Sequence, residues 1–166
     1  MEALEFIRER NTLSPLKGPQ HRQLKAFVGH WRIEGESGIG ASRVPVMGEE
    51  VYEWLEGGFF LVNRFDRHVG ATHFTGMGWI SYDAITRTYL SYAISNSGFL
   101  RIYEVEISDH QMILSGETER ATIKLSPDRE TLYIYWDECH DGTNWHSLCN
   151  LRGYLQKANL VEQGSS

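Results

Sequence analysis

Residues 140–154 read HDGTNWHSLCNLRGY, and the rest of the chain can be organised around them. Asp141-Gly142-Thr143-Asn144 is a turn, because Asp, Gly and Asn accept tight backbone geometry and bond their own backbone. A strand is expected to follow over 145–156. Successive strand side chains point to opposite faces. One face here carries His146, Leu148, Asn150, Arg152 and Tyr154; the other carries Trp145, Ser147, Cys149, Leu151 and Leu155. Counting apolar residues favours the second face as core. On the first, Arg152-x-Tyr154 facing a hollow would hold a carboxylate, enol or other oxyanion through charge-assisted hydrogen bonds.

The same period-two pattern extends back through most of the chain. Strands are expected at 30–36, 46–55, 59–68, 72–82, 88–95, 99–107, 111–117, 120–125 and 131–139, so with the last there are about ten. Short polar turns such as Asp83-Ala84-Ile85-Thr86 and Asn96-Ser97-Gly98 join them, which makes sequential neighbours antiparallel. A meander this long removes its edges by closing. The expected fold is therefore all-β, an up-and-down antiparallel β-barrel. Gly76 and Gly78 inside one strand suggest a bend or bulge at a barrel corner. Before the strands, residues 19–28 read as a short N-terminal helix, with Pro19 in its first turn and Leu24, Phe27 and Val28 on one face. Residues 1–18 read as a leader with a helical turn or two at 3–10. The barrel domain is expected at 19–157, and a flexible tail at 158–166.

Composition narrows the function classes. The chain has 166 residues, 23% charged, with a net charge of −6 and no Lys/Arg cluster, which argues against nucleic acid as a partner. The N-terminus lacks the apolar core of a secretory signal, and no apolar run is long enough to span a membrane, so a cytoplasmic location without membrane contact is expected. Cys139 and Cys149 are expected as two ordinary thiols. No cofactor or metal is expected, because no His/Cys spacing matches a zinc site. Aromatic residues make up 12%, enough to line a pocket for a flat guest.

Leu24-Lys25-Ala26-Phe27-Val28-Gly29-His30-Trp31 resembles the opening of a calycin, a short helix followed by Gly-x-Trp on the first strand. Arg152-x-Tyr154 on the last strand is similar to the Arg-x-Tyr with which fatty-acid-binding proteins hold a carboxylate. In lipocalins an arginine on that strand packs across the Gly-x-Trp tryptophan, which would put Arg152 over Trp31. The middle of the chain, with Gly57-Gly58-Phe59-Phe60 and Gly78-Trp79-Ile80-Ser81-Tyr82-Asp83, is similar to an uncharacterised bacterial family of lipocalin-like barrels. The chain departs from its named relatives. The stretch 38–46 is too short for the helical lid of fatty-acid-binding proteins, and the signal peptide of extracellular lipocalins is not expected here. The resemblance implies a calycin/lipocalin-like barrel, and it favours the Arg152 face as lumen. Calycin-like barrels can also pair side by side, which admits a homodimer.

The expected ligand-binding residues are Trp31, Arg101, Tyr103, Tyr135, Arg152 and Tyr154. Buried arginines need partners, and Glu53, Glu117 and Asp137 are the candidates, with Glu36 if Gly35 bulges. Tyr92 could add a donor, and Trp54, Trp79 and Trp136 flat walls. The leading reading is intracellular binding of a small hydrophobic or aromatic ligand with an acidic or oxyanion group inside the barrel. The alternative is a cofactor-free isomerase or cyclase acting on a polyketide- or lipid-like substrate, with Glu53 or Glu117 as base. A haem held by His146 is a distant third.

Overall fold

The computed structural model describes residues 16–38 and 40–157. The helical turns expected at 3–10 and the tail from 158 lie outside the described residues. The alternating stretches form ten strands: β1 (Gly29–Ser37), β2 (Val44–Trp54), β3 (Phe60–Val69), β4 (Thr72–Asp83), β5 (Thr88–Ser95), β6 (Leu100–Ser108), β7 (Gln111–Ser115), β8 (Glu119–Leu125), β9 (Thr131–Glu138) and β10 (His146–Leu155). Each pairs antiparallel with its sequence neighbours, and β1 also pairs with β10, so the sheet closes into a barrel without a free edge. The turn before β10 forms as expected, with Asp141 Oδ1 accepting from the Thr143 and Asn144 amides at 2.9 and 2.7 Å.

Closure turns alternation into an inside and an outside. On β1, Trp31 and Ile33 are buried while Arg32 is exposed. On β9, Leu132 and Ile134 are buried and Tyr135 is exposed. Gly76 and Gly78 carry no bulge, since β4 keeps an unbroken register with β3 and β5. They permit close approach instead. A Cβ at Gly76 would lie 2.2 Å from the Ile94 carbonyl oxygen and 2.5 Å from the Phe65 ring. The register shift falls on β10, between Ser147 and Cys149.

A short helix closes one end. Helix α1 (Pro19–Gln23) runs into a 3-10 turn (Leu24–Phe27). Leu24 and Phe27 are fully buried, as the apolar stripe predicts, whereas Val28 lies beyond the helix and is 37% exposed. The Trp31 indole donates to the Phe27 carbonyl at 3.2 Å, and the Tyr89 hydroxyl lies 2.8 Å from the Gln20 carbonyl oxygen. Glycine at the N-cap has no side chain to bond the first turn. The reciprocal bond is made by His21, whose Nδ1 accepts from the Gly18 amide at 3.1 Å while its own amide donates to the Gly18 carbonyl at 3.2 Å. Its ring packs edge-on against Phe59 and Tyr82, with centroids 5.4 and 6.1 Å apart.

Burial first, and the nearby Lys17 charge second, push the His21 imidazole below its ordinary value. The folded state thus favours neutral His21. This contribution is complete above the unfolded-chain value of about 6.5 and is lost as pH falls through it, because the unfolded chain then binds a proton that the fold resists. The thermal midpoint is expected to fall between about pH 7.5 and about pH 5, and to fall less in His21→Asn, which keeps an acceptor for the Gly18 amide but does not titrate. Equal falls in both proteins would remove His21 as the cause.

Candidate ligand cavity

Inside the barrel lies a cavity of about 370 Å³, and Ser97 and Phe99 of the β5–β6 turn line its mouth. The helical plug meets the other end, where Tyr89 lies near the start of β5. Apolar side chains dominate the wall. Phe65 and Phe74 stack at 5.1 Å, and Tyr103 meets Trp136 edge-on at 5.7 Å. Met112, Leu114, Ile123 and Ile134, from β7, β8 and β9, form the wall across the barrel from β2 and β3.

Set into this wall is a buried ion pair. Glu50 of β2 and Arg67 of β3 are only 3% and 9% exposed, and Glu50 Oε1 contacts Arg67 Nη2. Strand register explains the contact. Gly48 stands opposite Arg67, so no side chain separates the guanidinium from Glu50 two residues along. A Cβ at Gly48 would sit 2.1 Å from the Asp66 carbonyl oxygen and 2.6 Å from Arg67 Cα, so the position takes glycine alone. Arg67 also lies over the Phe65 ring at 5.6 Å. Burial pulls the guanidinium down to about 10, which still leaves it a cation at neutral pH. Burial pushes the Cys149 thiol, which also lines the cavity, up to about 11 despite the Arg67 charge, so it is protonated there. Among the described residues, three buried polar atoms in the wall have no hydrogen-bond partner: Glu50 Oε2, Asn63 Nδ2 and Arg67 Nε.

A second polar group borders the mouth. Tyr103 is 4% exposed and donates its hydroxyl hydrogen to Glu119 Oε2 at 2.9 Å. Arg101 Nε lies 3.5 Å from the same oxygen, and its guanidinium stacks on Phe99 at 4.4 Å. Burial chiefly, then the Glu119 charge, hold the Tyr103 phenol well above its usual value.

Of the residues expected to bind ligand, Arg101 and Tyr103 meet in the cavity. Trp31 is 1% exposed but belongs to the core at the plug end, opposite Leu155. Tyr135, Arg152 and Tyr154 lie on the outer face. Tyr135 is 42% exposed, Arg152 packs on Tyr133 at 5.8 Å, and Tyr154 lies under Arg32 at 4.7 Å. Tyr135 and Arg152 border a surface depression outside the barrel. The expectation that the Arg152 face looks inward is thus corrected, as is the packing of Arg152 over Trp31. Leu151 fills the interior between Arg152 and Asn150, and Gly153 backs onto Ile33 and Leu132. The bulge explains part of the error. Leu148 is the extra residue, so both it and Cys149 line the cavity and the inward phase changes along one strand.

The partner carboxylates also move. Glu53 and Glu36 make exposed pairs with Arg64 and Arg43, Glu117 is exposed, and Asp137 pairs with Arg120 at 3.0 Å. Trp79 stacks on Tyr92, its direct cross-strand partner, at 5.6 Å, and His146 is exposed. Among the described residues, no three His, Cys, Asp or Glu side chains cluster as metal ligands. The residues missed are Glu50, Asn63 and Arg67. Their signal lay in phase: Glu50 shares a face with Val46 and Tyr52, and Asn63 and Arg67 share one with Leu61 and Phe65.

The profile of a family described as "Protein of unknown function (DUF1579)" matches residues 17–134. No curated protein matches the sequence. The crystal structure of Rv2717c from M. tuberculosis resembles this barrel with a TM-score of 0.63, over 84% of this chain and 99% of that one, at 12% identity. At that identity the likeness is one of fold.

Proposed function

The chain belongs to the DUF1579 family, a membership that carries no chemistry, and we propose from the barrel's hollow that it binds one small hydrophobic or aromatic molecule bearing an acidic group. The observation that carries this reading is the apolar, aromatic-walled cavity of about 370 Å³ with Arg101 at its mouth. Burial of the apolar body supplies most of the affinity, at about 25 cal/mol per Å². The acidic group docks on Arg101. Glu119 already takes the Tyr103 hydroxyl as well as Arg101 Nε, while the guanidinium keeps further N–H donors for an anion. The calycin-like opening at Gly29–Trp31 agrees with a ligand barrel, although the carboxylate site moves from the last strand to β6. An intracellular location is part of the same proposal. Native mass spectrometry of fresh protein would report a retained molecule and the subunit count together.

The sharper test uses 1-anilinonaphthalene-8-sulfonate, an aromatic anion whose fluorescence rises on leaving water. It is expected to bind one per barrel. Arg101→Gln should weaken it by about tenfold or more, the effect of one charged hydrogen bond, and Arg152→Ala should leave it unchanged. Non-saturating binding, or equal losses in both variants, would overturn the assignment.

An isomerase or cyclase in the same hollow is the second reading. It is favoured by Glu50, a buried carboxylate with one oxygen unpartnered, which would serve as base in place of the exposed Glu53 and Glu117. In that case Glu50→Gln would stop turnover of the retained molecule without releasing it.

A further inference from the structure

We propose that Glu50, Asn63 and Arg67 recognise a second group on the ligand, one that is uncharged and both donates and accepts hydrogen bonds: a hydroxyl or a primary amide. The inference rests on the cavity-binding reading above and specifies the end of the ligand that Arg101 does not hold.

Hydrogen-bond capacity is the first argument. Glu50 Oε1 is taken by Arg67, which leaves Oε2 as an acceptor. Asn63 Nδ2 and Arg67 Nε are donors without acceptors. All three belong to residues that line one cavity, and Glu50 and Arg67 are more than nine-tenths buried. Such groups are expected to be satisfied by something. These three atoms call for a group that donates one hydrogen bond and accepts two. A hydroxyl supplies that set from one oxygen, and a primary amide supplies it from its carbonyl and one N–H.

Charge is the second argument. The pair is already balanced, one carboxylate against one guanidinium. A ligand carboxylate here would put a second anion beside Glu50 with one cation between them, and an ammonium would face a carboxylate already neutralised. Either would bury an excess charge. A hydrocarbon end would leave all three atoms unsatisfied. Register is the third argument. Tyr52 stands opposite Asn63, Glu50 opposite Phe65, and Gly48 opposite Arg67, so the three groups form one patch on the β2–β3 wall. The class of ligand is then an apolar acid with a hydroxyl or amide at its far end.

Isothermal titration with decanoate, 10-hydroxydecanoate and decanedioate separates the two readings. All three have one carboxylate for Arg101, and flexible chains let the far end find the patch. The hydroxy acid is expected to bind about tenfold or more tighter than decanoate, and the diacid more weakly than decanoate. Asn63→Leu should bring the ratio of hydroxy-acid to decanoate affinity down to about one. Glu50→Gln frees Arg67 from its counter-charge and should lift the diacid above decanoate. If that variant does not fold, the three titrations of the native protein still decide. Equal affinities for decanoate and the hydroxy acid, as when a bound water fills the patch, would overturn this inference and leave the cavity reading standing. No binding of any of the three would overturn both.

Discussion

Glu50→Leu or Arg67→Met alone is expected to lower unfolding free energy by about 3–5 kcal/mol, with the double replacement much nearer the native protein. The asymmetry follows from desolvation. With both partners present, each charge is compensated by the other at 3% and 9% exposure. Removing one leaves the other buried without a counter-ion, and for Arg67 burial already weakens the charged form. Removing both replaces the pair with apolar bulk that the neighbouring Phe65 and Tyr52 can accept. Urea unfolding of the four proteins measures this as a double-mutant cycle. Single losses below about 1 kcal/mol would mean that water reaches the pair and that the wall is more open than the structure shows. The double variant has a second use. It should fold yet lose the preference for a hydroxyl, which separates the pair's part in recognition from its part in stability.

Trp31→Ala should cost a further kind of stability, about 3–5 kcal/mol from lost packing. Its indole is 1% exposed, donates to the Phe27 carbonyl, and sits where the helical plug meets the first strand. A Cβ at Gly29 would be 3.2 Å from the indole nitrogen, so the ring also occupies the space that Gly29 leaves. Trp31→Phe keeps the bulk and gives up the hydrogen bond, so it should lose less. Urea midpoints would rank the three proteins. A Trp31→Ala barrel of native stability that no longer binds 1-anilinonaphthalene-8-sulfonate would return Trp31 to the ligand site and displace the packing role.

Trp31 and Arg152 mark the boundary of what could be read before the fold was known. Trp31 was legible as a position that matters, because Gly-x-Trp follows a helix stripe of Leu24 and Phe27. Its assignment to the ligand failed because a buried aromatic looks the same in sequence whether it faces a hollow or a plug. Arg152 failed for a different reason. Alternation divides β10 into two faces, and apolar counting pointed to the face of Leu151 and Leu155 as the interior. The resemblance to a carboxylate-holding Arg-x-Tyr outweighed that count. The structure favours the count: Leu151 is buried, while Arg152 is exposed with Glu34 and Tyr133 as its partners across the sheet. Arg101 and Tyr103 do line the hollow, a direction that alternation by itself left open.

The chain alone determined about ten alternating strands, short polar turns, a short N-terminal helix and therefore a closed antiparallel barrel, because period and turn chemistry are local properties written residue by residue. The tertiary structure alone decided which polar side chains share the hollow. Glu50 and Arg67 meet because β2 and β3 pair with Gly48 opposite Arg67, and β10 changes its inward phase at Leu148. Both depend on register between strands, and register is settled by how a whole closed sheet packs its interior rather than by any stretch of sequence read by itself.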